Sequence, residues 1–122
     1  MSHIVQIQCQ VRDVEAVRAA CKRLGLEEPV NGTATLFSGE ATGLLLRLPG
    51  WLYPAVFNTA SGTVKYDNYN QEWGAQKHLD AFMQAYAVCK ATIEAHKRGH
   101  SVHEQTLPDG SIKLTVTVGG GW

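Results

Sequence analysis

Between residues 76 and 98, apolar side chains fall at Leu79, Phe82, Met83, Tyr86, Cys89 and Ile93, the i, i+3, i+4, i+7 spacing that lines one face of an α-helix. The opposite face carries Lys77, Asp80, Gln84 and Glu94, and Gly99 follows directly, where a positive φ can close the last turn. At 1.5 Å per residue this helix is roughly 35 Å long, about the width of a small domain, so the rest of the chain has one long apolar stripe to pack against. Asp80 near its start and His96, Lys97 and Arg98 at its end complement the helix dipole.

Residues 3–11 alternate instead, with Val5, Ile7, Cys9 and Val11 on one side and Gln6, Gln8 and Gln10 on the other, which predicts a strand with one wet face. Asp13 suits the N-cap of a second, shorter helix whose stripe is Val14, Val17, Ala20, Cys21 and Leu24, with a stop at Gly25 and Leu26 placed to fold back. Pro29 and Asn31-Gly32 mark 27–32 as a loop. Strands are expected at 33–37 and 44–48, joined by the glycine-bounded segment 39–43, and beyond the Pro49-Gly50 turn at 53–58 and 63–68, closed near Ser61-Gly62. After the long helix, 101–106 and 111–118 make a hairpin around Pro108-Asp109-Gly110, with Ile112, Leu114, Val116 and Val118 on one dry face. Residues 119–122, three glycines and Trp122, read as a flexible tail.

The order β-α-β-β-β-β-α-β-β, with one-faced strands and two amphipathic helices, predicts a single α+β domain over residues 1–118. Its architecture is a two-layer sandwich, a mostly antiparallel sheet with both helices on one face.

At 122 residues and 44% hydrophobic content the chain can bury roughly 60% or more of its extended surface as one domain, without metal or disulfide support. Eleven basic and eleven acidic residues cancel, so the electrostatic footprint of a nucleic-acid binder is missing. Cys9, Cys21 and Cys89 are odd in number and widely spaced at apolar positions, as expected of free thiols in a reducing compartment. No apolar run approaches a bilayer span, and Met1-Ser2-His3 leads directly into a strand pattern, so the expectation is a cytoplasmic protein without a membrane role.

Four segments, Met1-Ser2-His3-Ile4, Leu36-Phe37-Ser38-Gly39, Tyr66-Asp67-Asn68-Tyr69 and the stretch from Gln105 through Asp109-Gly110-Ser111-Ile112-Lys113-Leu114, resemble an uncharacterised family of small proteins. That family is known as a hypothetical chloroplast open reading frame of the ycf type, and as a domain of unknown function in cyanobacteria, other bacteria and phages. The resemblance covers most of the chain and implies an accessory role in the cell, with no catalytic residues to carry over. The plastid-type members end in an aromatic and basic tail, from which the three glycines and Trp122 depart.

Residues 66–73 hold the densest chemistry: Tyr66, Asp67, Asn68, Tyr69, Asn70, Gln71, Glu72 and Trp73 stand just before a helix N-terminus, where free N–H groups and the dipole favour a polar or anionic ligand. The bland reading is that the rings pin the loop to the sheet while Asp67 or Asn68 makes the turn. Trp51, Tyr53 and Phe57 add aromatic area, and Trp51, in a turn, marks a protein interface if it is exposed.

His96, His100 and His103 are weak metal candidates, because His100 and His103 stand an odd number of residues apart on a strand and point to opposite faces. Cys89 lies roughly 16 Å along the helix from His78 and roughly 10 Å from His96, too far for a nucleophile and its base. Gly39 to Gly43 lacks the lysine of a phosphate loop, and the glycine tail lacks the free diglycine end of a ubiquitin-like modifier.

The expectation is therefore a non-enzymatic accessory protein, with no cofactor or metal, that binds a protein partner or its own copies through its aromatic loop and exposed strand edges. The alternative is a small-ligand-binding domain or minor enzyme taking an anionic or polar ligand between the 66–73 loop and the long helix. The residues expected to matter in either case are Tyr66, Asn68, Tyr69, Trp73, Lys77, His78 and Trp51.

Overall fold

The computed structural model describes residues 4–118; the expected tail at 119–122 and the first residue of the expected strand at 3–11 lie outside the described residues. Nine elements follow the expected order: β1 (Val5–Gln8), α1 (Val14–Leu24), β2 (Val30–Leu36), β3 (Gly39–Leu46), β4 (Ala55–Asn58), β5 (Thr63–Tyr66), α2 (Gln76–Lys97), β6 (Ser101–Thr106) and β7 (Ile112–Thr117).

Both helices end where their sequences say they should. The Asp13 side chain accepts hydrogen bonds from the Glu15 and Ala16 N–H groups, and Gly25 closes α1 in the left-handed region with φ 70°. Gly99, at φ 75°, lets the His100 N–H reach back to the Ala95 carbonyl at 2.9 Å and so closes α2. On α1 the buried stripe is Ala16, Val17, Ala20 and Cys21, while Val14 and Leu24, expected in it, lie at its margins and are exposed.

The sheet is antiparallel throughout, in the order β1-β5-β4-β3-β2. Leu44, Leu46, Ala55, Phe57, Val64 and Tyr66 turn toward the helices and meet Leu79, Phe82, Ala85 and Tyr86 of α2 in the main core. The two helices are also tied by polar contacts. Tyr86 Oη accepts from the Arg12 and Asp13 N–H groups at 3.2 and 3.1 Å, and Lys90 Nζ donates to Asp13 Oδ2 at 3.0 Å.

Four features correct the sequence expectation. The first strand stops at Gln8, because the Cys9 and Gln10 N–H groups both donate to the Gly62 carbonyl and Gln10 takes φ 59°, which bends the chain and carries Val11 into the core. Second, Asn31-Gly32 and the glycine-bounded segment 39–43 are strand, not loop and connection; the hairpin turn is only Phe37-Ser38. Small residues pair across it, Gly32 with Gly43, Thr33 with Thr42 and Ala34 with Ala41, and at Gly43 a Cβ would stand 2.4 Å from the Phe57 carbonyl oxygen. Glycine is required there by the closeness of β4.

Third, β6 and β7 do not join the main sheet. They form a separate two-stranded ribbon against α2, fastened to α1 by a forked pair of hydrogen bonds from Arg23 to Glu104 at 2.7 and 3.0 Å. Its expected dry face is only half covered: Ile112 and Leu114 are partly buried, whereas Val116 and Val118 are exposed.

Fourth, the sheet face away from the helices is not wholly wet. Leu36, Ala41 and Val56 are buried there, with Ile4, Ala34, Leu45 and Tyr53 packed around them. The tip of the β2–β3 hairpin reaches across the sheet, where Gly39 comes close to Ile4 and Ser38 Oγ donates to Asp67 Oδ2 at 3.5 Å.

Candidate functional site

The segment between β5 and α2 is a tight polar knot. Asp67 and Asn68 are both buried. The Asp67 carboxylate accepts the Tyr69 N–H at 3.3 Å, while the Asn68 side-chain amide donates to the Gly74 carbonyl at 3.1 Å and the Asn68 backbone carbonyl accepts the Trp73 N–H at 3.0 Å. This clamp holds Tyr69, Asn70 and Gln71 in succession at φ 46°, 49° and 74°. Left-handed backbone costs an L-residue about 1–2 kcal/mol, so the loop stores strain that its buried ends oppose.

What the strained turn achieves is the placement of rings. Tyr69 and Trp73 are brought to 4.9 Å between centroids, Tyr53 packs edge-on against Trp73 at 5.7 Å, and Phe37, from the hairpin tip, reaches Trp73 at 5.3 Å. The Leu52 N–H donates to the Trp73 carbonyl at 2.8 Å, which ties the backbone before Tyr53 to the loop. Trp73 is thus the hub of a cluster of tilted and edge-on rings whose outer member, Phe37, is 62% exposed, with the exposed Leu52 next to Tyr53 in the chain.

The expected site residues do not form one group. Trp51 is buried, not exposed: its ring packs edge-on against Tyr66 at 5.6 Å, and its Nε1–H donates to the Ala75 carbonyl at 3.0 Å. Tyr66 faces the helix side, where burial and then the nearby Asp80 carboxylate raise its hydroxyl above the ordinary tyrosine value. Asn68 is a staple of the loop. Tyr69 and Trp73 come together as expected, and Phe37 and Leu52 are the members the sequence reading passed over. Phe37 was expected inside the strand 33–37, but it lies in the Phe37-Ser38 turn, and only the crossing of that hairpin tip over the sheet brings it to Trp73.

Lys77 lies elsewhere. It lines a wide, shallow groove of about 660 Å³ with Asp80, Gln84 and the β6–β7 turn at Asp109, Gly110 and Ser111, and Gln84 bridges that groove to the Gly110 carbonyl at 3.1 Å. His78 is half-buried in the first turn of α2. The start of α2 is partly closed by its own chain. Ala75 provides no side-chain cap and the first turn has no acidic residue, but Gln71 Oε1 accepts the Gln76 N–H at 3.0 Å.

The three cysteines are free, and burial raises each thiol: Cys21 to about 11, with Cys9 and Cys89 shifted in the same direction. A shift in this direction disfavours the thiolate, the reactive form of cysteine. Among the described residues no three His, Cys, Asp or Glu side chains converge as a metal site, and His96 and His103 are exposed on different elements. Among the same residues no helix is long and apolar enough to cross a membrane. The chain matches no protein-family model, no curated protein and no solved structure.

Proposed function

We propose that this chain is a non-enzymatic cytoplasmic interaction module that binds a protein partner through the aromatic surface of Phe37, Leu52, Tyr53, Tyr69 and Trp73. The observation that carries the reading is the position of Phe37, mostly exposed yet packed at a tilt on a ring that is itself held by a strained, clamped loop. Preordered aromatic side chains in a polar surround lose little conformational freedom on binding and are favoured interface anchors. Asn70, Gln71 and Glu72 supply the polar rim. Free thiols fit a reducing compartment, and the accessory role implied by the resemblance to the ycf-type family agrees with a module of this kind.

An anionic or polar ligand at the start of α2 is the second reading, supported by the lack of an acidic residue in the first turn. It is the weaker one, because Gln71 already satisfies one N–H there and Lys77 lines the groove on the β6–β7 side.

Native mass spectrometry of the protein purified gently from its own host separates the two. A second, different chain retained by the wild type and lost by Phe37→Ser supports the partner reading. A retained small molecule that survives Phe37→Ser and is lost on Lys77→Met overturns it.

A further inference from the structure

The outer strand β2 is open along its whole length. Its sheet partners all lie in β3, and among the described residues no other backbone hydrogen bond reaches residues 30–36. Leu36 and Gly39 flank the two-residue turn and so form a hydrogen-bonded pair, after which bonded and non-bonded pairs alternate along the hairpin. The N–H and C=O groups of Asn31, Thr33 and Thr35 therefore point away from β3, toward solvent.

Natural sheets defend such an edge with lysine, proline, a bulge or shortness. Here β2 has seven residues, and from Val30 to Gly39 there is neither a charge nor a proline. The other free edges are guarded: β1 has four residues, β6 carries His103 and Glu104, and β7 carries Lys113.

We infer that β2 pairs antiparallel with β2 of a second copy about a two-fold axis through Thr33, joining two five-stranded sheets into one continuous sheet. Thr33 is the midpoint of Val30–Leu36, so this register pairs the strands over their full length. Thr33 meets the partner's Thr33, Asn31 the partner's Thr35, and Val30 the partner's Leu36.

A second copy suits the edge better than a different chain for two reasons visible in the strand. A two-fold pairing sets each side chain against the same sequence reversed, which any charge cluster would oppose and this uncharged run does not. Val30 is 64% exposed although it faces the same side as Ala34 and Leu36 and pairs with Leu45 across β3. The two-fold sets it beside the partner's Leu36, so the small core of Leu36, Ala41 and Val56 continues across the axis.

The test is sedimentation equilibrium of the full chain with a charge-swap pair. The wild type is expected at twice the 13.3 kDa chain mass in the micromolar to millimolar range, dissociating on dilution. Thr33→Lys and Thr33→Glu, each placing like charges face to face at the axis, are expected as monomers with native circular dichroism and a cooperative melt, lowered by the loss of the dimer and of the Thr33–Thr42 hydroxyl bond. An equal mixture of the two variants is expected to recover the doubled mass. Hydrogen exchange adds a readout that needs no variant: the Asn31, Thr33 and Thr35 amides exchange slowly at high concentration and fast on dilution. A wild type that is monomeric at every concentration, or a dimer that both single variants retain, or fast exchange at all three amides in concentrated protein, overturns the inference. Charging Thr33 leaves Phe37 and Trp73 in place, so the loss of a β2 dimer and the loss of partner binding are read separately.

Discussion

The indole of Trp51 lies directly on the backbone of Gly74, so close that a Cβ at residue 74 would stand 2.5 Å from the ring. The same indole holds the Ala75 carbonyl, and so a core tryptophan fixes the point at which the aromatic loop becomes α2. Gly74→Ala is expected to destabilise the fold by about 1–3 kcal/mol through overpacking alone. Chemical denaturation with an unchanged midpoint would show that this contact is not tight.

The main core rests on α2. Leu79 and Phe82 are fully buried, and Phe82 packs on Phe57 at 5.2 Å. Truncating either to alanine is expected to cost about 2–5 kcal/mol. A loss near zero in thermal unfolding would mean that the stripe does not organise the domain.

Phe37 should behave oppositely. Being mostly exposed, it has only its tilted ring contact with Trp73 to lose, and Phe37→Ser is expected to lower stability by no more than about 1 kcal/mol. If that substitution melts the protein as Phe82→Ala does, the aromatic surface is a second core and not a binding face.

Acid should loosen the link between the helices. Hydrogen bonding from Lys90, with help from the Ala16 and Glu15 N–H groups, holds the Asp13 carboxyl below its ordinary 3.8, and Arg23 does the same for Glu104. A depressed carboxylate adds stability above its unfolded pKa and loses it as pH falls through the folded value, so the melting temperature should drop below about pH 4. Asp13→Asn keeps an N-cap oxygen but not the ion pair, and is expected to give a shallower acid fall in melts recorded across pH; an identical fall would mean the pair with Lys90 contributes nothing.

Backbone strain in the loop can be relieved. Asn70 sits at φ 49° between two other left-handed residues, and its side chain is exposed. Asn70→Gly is expected to raise stability by up to about 1 kcal/mol, since glycine adopts that region without penalty. Unchanged or lower stability would show that the strain is already absorbed.

Much of the architecture was legible from local signals. Asp13, Gly25 and Gly99 mark helix ends because capping is decided within one turn of chain, and the apolar periods of α1 and α2 declare which faces are buried. The aromatic loop was legible as a place of interest from its composition. Its membership was not: Phe37 and Tyr53 reach Trp73 from segments distant in sequence, while Trp51 and Tyr66 turn into the core.

What the sequence determined by itself is the kind and order of its elements, since helix and strand periods, caps and turn residues act through neighbours along the chain. Only the tertiary structure decided that β6 and β7 stand apart from the main sheet, that the β2–β3 tip crosses to Ser38–Asp67 and Phe37–Trp73, and that Val116 stays exposed while Trp51 does not. The physical reason is that alternation records which side of a strand is apolar but not which surface will cover it. That choice is made by packing between residues tens of positions apart, where the gain of burial competes with the entropy of closing the chain between them.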